Sequence, residues 1–304
     1  MRRGPRVLLT GLLLAGPACS EATGPLLDPA ERCGPESDAV AAFEDPGLEA
    51  AVRAALGPDG DDALTCERVA SLRSLGANGA GITSLLGAQN LVGLEELLLA
   101  ANSISDLAAL SGLSGLQFLD LRENAVADLG ALGGLTGLVG LSLSRNSIVD
   151  VSPLSGLVAL ELLGLDHNAI GDIGPLAGLT NLLRLVLFDN SITDLGPLGG
   201  LTRVFLLDLG RNSVPDLTPL SGLADLTVLG LERTAISDLG PLTELTFLST
   251  VVLDDNNDLV DIQPLIDNTG LGIGDTVHLV GTHVSCADMA ALEANGVMVV
   301  SECP

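Results

Sequence analysis

An asparagine recurs every 22 residues through most of this chain, at Asn102, Asn124, Asn146, Asn168, Asn190 and Asn212; the next position of the series holds Thr234 and the one after it Asn256. Apolar residues keep the same beat. Eight, five and three residues ahead of each asparagine stand leucines or valines, as in Leu94, Leu97 and Leu99, and from Ile104 to Ile236 an isoleucine or valine follows two residues after each position of the series. Self-similarity at such a period means that each unit is one coil, able to bury its apolar face only against its neighbours. Pairs such as Leu97 and Leu99 alternate with period two, the signal of a short strand with one buried side.

The asparagine has a physical job in such a stack. A tight turn after each strand leaves backbone N–H and C=O groups inside the coil, and an unpaired buried polar group costs about 1–3 kcal/mol. A buried asparagine offers both donors and an acceptor, so the series is expected to form a structural ladder, not a row of ligand-binding residues. Thr234 can make fewer bonds, and its coil should be the least well pinned. On the other side of each coil, Pro153, Pro175, Pro197, Pro219 and Pro241 each precede a leucine. Proline there excludes a long regular helix, and a 22-residue coil has room only for 3₁₀ or irregular turn. Asp106, Asp128, Asp150, Asp172, Asp194, Asp216 and Asp238 recur with the same period and read as turn and cap residues accepting backbone N–H groups.

The pattern L-x-x-L-x-L-x-x-N-x-I, over about residues 41 to 304, resembles the bacterial internalin-like leucine-rich repeats. The resemblance implies an α/β fold: a right-handed solenoid with short parallel strands on its concave face, a 3₁₀ or irregular convex side, and a cap at each end. The segment from Phe43 to Leu56 reads as an amphipathic cap helix, with Asp45 as its cap, Pro46 at its first position and Leu48, Val52 and Leu56 on one face. A short helix from Ala287 to Asn295 and a strand from Val297 to Val300 fill the loop between Cys286 and Cys303. The expected organisation is a signal peptide (1–18), a flexible tether (19–40), an N-terminal cap (41–72), the repeats (73–270) and a C-terminal cap (271–304).

Arg2, Arg3 and Arg6 ahead of the apolar run 7–15 and the small residues up to Cys19 read as a secretory signal. That run is too short to span a bilayer. Cys19 sits where bacterial lipoproteins carry their lipidated cysteine, so export to the cell envelope, as an outer-membrane lipoprotein or in the periplasm, or release from the cell, is the expected location. Removing Cys19 leaves four cysteines, two at each end of the solenoid, and predicts the disulfides Cys33–Cys66 and Cys286–Cys303 in an oxidising compartment. Any membrane association would run through the lipid alone.

Charge narrows the partners. All 13 basic residues are arginines, against 39 acids, and loss of residues 1–18 removes three arginines and no acid, leaving a net charge of −29. Such a surface repels nucleic acid and anionic headgroups. No catalytic constellation, phosphate loop or cofactor fingerprint is legible, so an enzyme, a cofactor and a metal are not expected. His167, just ahead of a ladder asparagine, is expected to be exposed on a coil edge. Asp254, Asn256 and Asp258 have a calcium-loop spacing, but Leu259 stands where that loop needs glycine and Leu265 where it needs a bidentate glutamate.

What remains is the concave sheet. Its outward positions carry apolar residues that the repeat does not require, at Phe118, Leu162, Val186, Phe188, Leu206 and Val228, with Arg122 and Arg184 among them. An exposed apolar patch edged by charge marks a protein-binding surface. The internalin-like resemblance implies the same role, so a monomer that recognises a protein or cell-surface ligand through these residues is the expected function. A structural or spacing component of the envelope, with no specific partner, is the alternative, motivated by the sparse aromatics, with no tyrosine or tryptophan, and by the low variety of the surface.

Overall fold

The computed structural model describes residues 26–33, 39–57 and 63–303. The signal peptide and Cys19 lie outside the described residues. One strand per coil gives β1 (Ser74–Gly76), β2 (Glu96–Leu98), β3 (Phe118–Asp120), β4 (Gly140–Ser142), β5 (Leu162–Gly164), β6 (Arg184–Val186), β7 (Leu206–Asp208), β8 (Val228–Gly230), β9 (Thr250–Val252), β10 (Thr276–His278) and β11 (Met298–Val300). They form a single parallel sheet in sequence order. Each residue pairs with its equivalent one coil on, as in Leu97 with Leu119 and Leu163 with Leu185. The middle residue of each strand from β1 to β10 points inward and is buried. Its neighbours on either side point to the concave surface, as the period of a strand requires.

The convex side is a series of short 3₁₀ helices, such as Ser152–Gly156, Gly174–Gly178 and Thr218–Gly222. Proline stands in the first turn of each of these three, where the missing N–H costs nothing. The recurrent aspartates start them: Asp128 Oδ1 accepts from Gly130 N, Asp150 Oδ1 from Ser152 N and Asp172 Oδ1 from Gly174 N, at 2.7–2.8 Å. These are side-chain turns spanning two residues, one position ahead of the helix cap proper.

Two caps close the stack. Helix α1 (Pro46–Ala55) buries Leu48 and Val52. Asp45 Oδ1 caps it by accepting from Gly47 N and Leu48 N, while Oδ2 accepts from Thr83 N at 2.8 Å, so one carboxylate ties the cap to the first coil. Although burial raises the pKa of Asp45, its bonds from Thr83, Leu48, Gly47 and Ser84 outweigh this and hold it below the ordinary carboxylate value. A second short helix, α2 (Cys66–Ala70), follows; sequence periodicity gives no sign of it. At the far end, α3 (Gln263–Ile266) and α4 (Cys286–Ala294) pack together, and β11 extends the sheet beyond the last repeat. The disulfides are Cys33–Cys66 and Cys286–Cys303, one in each cap.

Residues 26–33 belong to the stretch read from sequence as tether, yet they pack on the fold. Gln89 Nε2 donates to Pro29 O and Glu31 O, and Asn90 Oδ1 accepts from Cys33 N at 2.7 Å. These contacts fix the segment to the first coil, and the Cys33–Cys66 bond fixes it to the N-terminal cap.

The asparagines stitch coils together. Asn146 Oδ1 accepts from Val126 N, 20 residues back, at 2.9 Å. Its Nδ2 donates to Leu121 O of the preceding coil and Leu143 O of its own, both at 2.9 Å. The same set repeats at Asn102, Asn124, Asn168, Asn190 and Asn212. Only Asn212 and Asn256 are fully buried; the other five are half-buried, because the turn they brace lies at the edge of the sheet and not under it. Thr234 breaks the scheme. Its Oγ1 donates to Leu231 O at 2.8 Å but reaches no carbonyl of the coil before it. Asn256 Oδ1 therefore takes Thr234 N, at 2.9 Å, instead of the N–H two residues further on.

A second period-22 feature is conformational. The residue before each ladder position, Ala101, Glu123, Arg145, His167, Asp189, Arg211, Arg233 and Asp255, has φ between 53 and 58°, and none is glycine. In these eight coils the turn is thus left-handed without the residue best suited to it, whereas glycine takes the equivalent position in the first coil, at Gly79, and in the last, at Gly281.

Candidate functional site

The concave surface is built from columns that run across the strands in register. One begins each strand, with Glu96, Phe118, Gly140, Leu162, Arg184, Leu206 and Val228 as successive neighbours. A second ends each strand and contains Asp120, Ser142, Gly164, Val186 and Asp208. Phe118 and Leu162 are 42% and 39% exposed, high for large apolar side chains in a sheet. Between them the outward side chains shrink to Gly140, Ser142 and Gly164. The ring of Phe118 lies over Gly140, where an added Cβ would come within 2.8 Å of it. A depression of about 430 Å³ opens above these small residues, walled by Leu98, Phe118, Arg122, Leu162, Arg184 and Val186.

The structure gathers five of the eight residues selected from sequence: Phe118, Arg122, Leu162, Arg184 and Val186 all line this depression. Leu206 and Val228 lie outside it, continuing the first column past Arg184. Phe188 also lies outside and is half-buried. Its ring covers Gly210, meets His167 at a centroid distance of 5.4 Å and carries the Arg211 guanidinium at 5.2 Å. His167 is half-buried by the same packing and not exposed as its sequence position suggests; its Nδ1 is 3.0 Å from Asp166 Oδ2. Sequence alone assigns the floor residues no role, although Gly140 stands between Phe118 and Leu162 in the first column and Gly164 beside Ser142 in the second.

The two arginines differ. Arg122 grips Asp120 with two bonds, Nε to Oδ1 at 2.9 Å and an Nη to Oδ2 at 2.7 Å. The hydrogen bond and charge of Asp120 push the Arg122 pKa up. Arg184, exposed on β6, makes no ion pair or side-chain hydrogen bond with any described residue, and its cross-strand neighbours are Leu162 and Leu206. Further along the sheet, Asp208 is pushed above the ordinary carboxylate range by burial, with the charges of Glu232 and Asp166 adding to it and the Gly210 N–H bond opposing it. Among the described residues no group of three or more histidine, cysteine, aspartate or glutamate side chains could hold a metal ion. Asp254 and Asn256, which suggested calcium spacing, instead accept from Val280 N and Thr234 N. No described helix is long and apolar enough to cross a membrane.

No family model matches the chain, and no curated protein matches it. Solved structures do. Internalin C2 of Listeria monocytogenes is 38% identical, with a TM-score of 0.66 over 69% of this chain and 94% of that one. An internalin InlF of Listeria monocytogenes is 27% identical, with a TM-score of 0.66 over 86% and 90% of the two chains. A leucine-rich-repeat protein of Leptospira interrogans, 21% identical with a TM-score of 0.62 over 76% of this chain and 66% of that one, shares the fold.

Proposed function

Since the chain belongs to the internalin-like leucine-rich-repeat proteins, we propose that it is an exported protein-binding module whose partner docks in the concave depression between β2 and β6. The observation that carries this reading is the depression itself. Apolar walls that the repeat does not need surround a floor of glycine and serine, so an entering side chain finds both room and apolar contact. Phe118 supplies the aromatic anchor, and Leu162 and Val186 the apolar wall. The two disulfides fit an oxidising compartment outside the cytoplasm. In this reading a lipid on Cys19 would hold the protein at the cell envelope.

The test is a cross-linked pull-down from native envelope, comparing the wild-type protein with a Phe118→Ala, Leu162→Ala, Arg184→Glu variant checked for folding by circular dichroism. A partner captured by the wild type and lost by the variant supports the reading. One retained by both moves the site to the caps or the convex side, and none for either leaves a spacing role. Membrane fractionation of a Cys19→Ser variant tests the anchor; an unchanged distribution removes it.

A further inference from the structure

We infer that the concave depression selects a partner segment that places a carboxylate beside a large apolar side chain, with Arg184 as the residue that reads the acid. This rests on the concave-face reading above and specifies its chemistry. The chain carries a large excess of acid, and its other concave and edge arginines are mostly engaged: Arg122 with Asp120, Arg145 with Glu123, Arg211 with Glu232 and Arg233 with Asp255. Arg184 is not. It stands exposed between two leucines in register, with Val186 two residues along the same strand. Arg122 across the depression is already paired with Asp120, and Glu96, the other carboxylate of the lining, stands four strands away on β2, so Arg184 is the lining cation left without a partner among the described residues. A guanidinium held among apolar side chains gains most from a planar carboxylate that arrives with apolar surface to displace water around both. The floor of Ser142 and Gly164 leaves the space for that surface between Leu162 and the Phe118 ring, which itself covers Gly140. A basic segment would meet Arg184 with like charge, and a purely apolar one would bury the guanidinium unpaired, which is costly.

Random peptides displayed on phage, selected on the full disulfide-bonded protein, test this. The expected enrichment is of Asp or Glu next to Leu, Ile, Met or Phe. Synthetic copies of the enriched peptides are then titrated against Arg184→Glu, Arg184→Lys and Ser142→Phe, the last filling the floor while leaving Arg184 in place. Arg184→Glu should weaken them by about 30-fold or more, the size expected when one partner of a desolvated charge pair is lost. Arg184→Lys should recover part of the binding, and Ser142→Phe should abolish it. Peptides without an acidic residue that tolerate Arg184→Glu but are excluded by Ser142→Phe would overturn the acid selectivity and leave the concave site standing. Peptides indifferent to both changes, or no peptide enriched on wild type over Ser142→Phe, would overturn the site as well.

Discussion

Asn124 Nδ2 donates to Leu99 O, a carbonyl 25 residues earlier and one coil back, at 2.9 Å, so the ladder side chain belongs as much to the preceding coil as to its own. Removing one rung should therefore loosen two coils. Asn146→Ala leaves Leu121 O, Leu143 O and Val126 N without their side-chain partner. The expected loss is about 2–4 kcal/mol of unfolding free energy, since orphaned backbone groups there are partly reachable by water. Asn146→Asp keeps the acceptor but turns a charge on two carbonyls and should be no better at neutral pH. Urea unfolding followed by circular dichroism measures both; a loss below about 0.5 kcal/mol would mean that water replaces the rung.

The substitution at Thr234 has a local signature. Ile104 N, Ile148 N, Ile170 N and Ile192 N each donate to the Oδ1 of an asparagine. Ile236 N has no such acceptor, because Asn256 Oδ1 is taken by Thr234 N. The amide of Ile236 should exchange with deuterium faster than those four, reporting a local opening and not global unfolding. Equal protection at all five would show that the coil at Thr234 is pinned by other means.

The asparagine beat, the leucine register and the cysteine count made the solenoid and its disulfides legible, because each follows from a constraint repeated in every coil. The candidate site on the concave face was legible only in part. Phe118, Leu162 and Arg184 stand out as large residues at outward positions. What separates Arg122 from Arg184 is a contact with Asp120, and what removes Phe188 from the surface is its packing on Gly210, His167 and Arg211. Such side-chain pairings have no period. The left-handed residues escaped for a different reason: their positions repeat, but Ala101, Glu123 and Arg145 carry none of the glycine that would advertise the conformation.

That conformation predicts a stabilising change. Glu123 has φ 55° and an exposed side chain 3.9 Å from Arg145, a surface pair of little energetic value. Glu123→Gly relieves the left-handed strain, offset by the extra freedom of glycine in the unfolded chain, and should raise stability by about 0.5 kcal/mol. Glu123→Val, β-branched in the same backbone, should lower it by about 1–2 kcal/mol. Melting temperatures of the pair give the comparison, and a valine variant as stable as the glycine one would contradict the strain.

Asp208 links the concave face to pH. Burial and the neighbouring charges of Glu232 and Asp166 raise its pKa, with only the Gly210 N–H opposing them. A carboxyl with a raised folded pKa is protonated more readily in the native state than in the unfolded one. Its contribution to stability is then most favourable below the unfolded value of about 3.9 and declines as pH rises through the folded pKa. Asp208→Asn keeps an oxygen to accept from Gly210 N, 3.1 Å away in the wild type, and carries no charge at any pH. The variant should be the more stable protein at neutral pH, and its advantage should shrink towards zero as the solution is taken below about pH 3.9. Thermal melts of both proteins across that range decide the point. A wild type that stays the more stable at neutral pH would mean that the Asp208 carboxylate is stabilised by its surroundings, reversing the assigned direction of the shift.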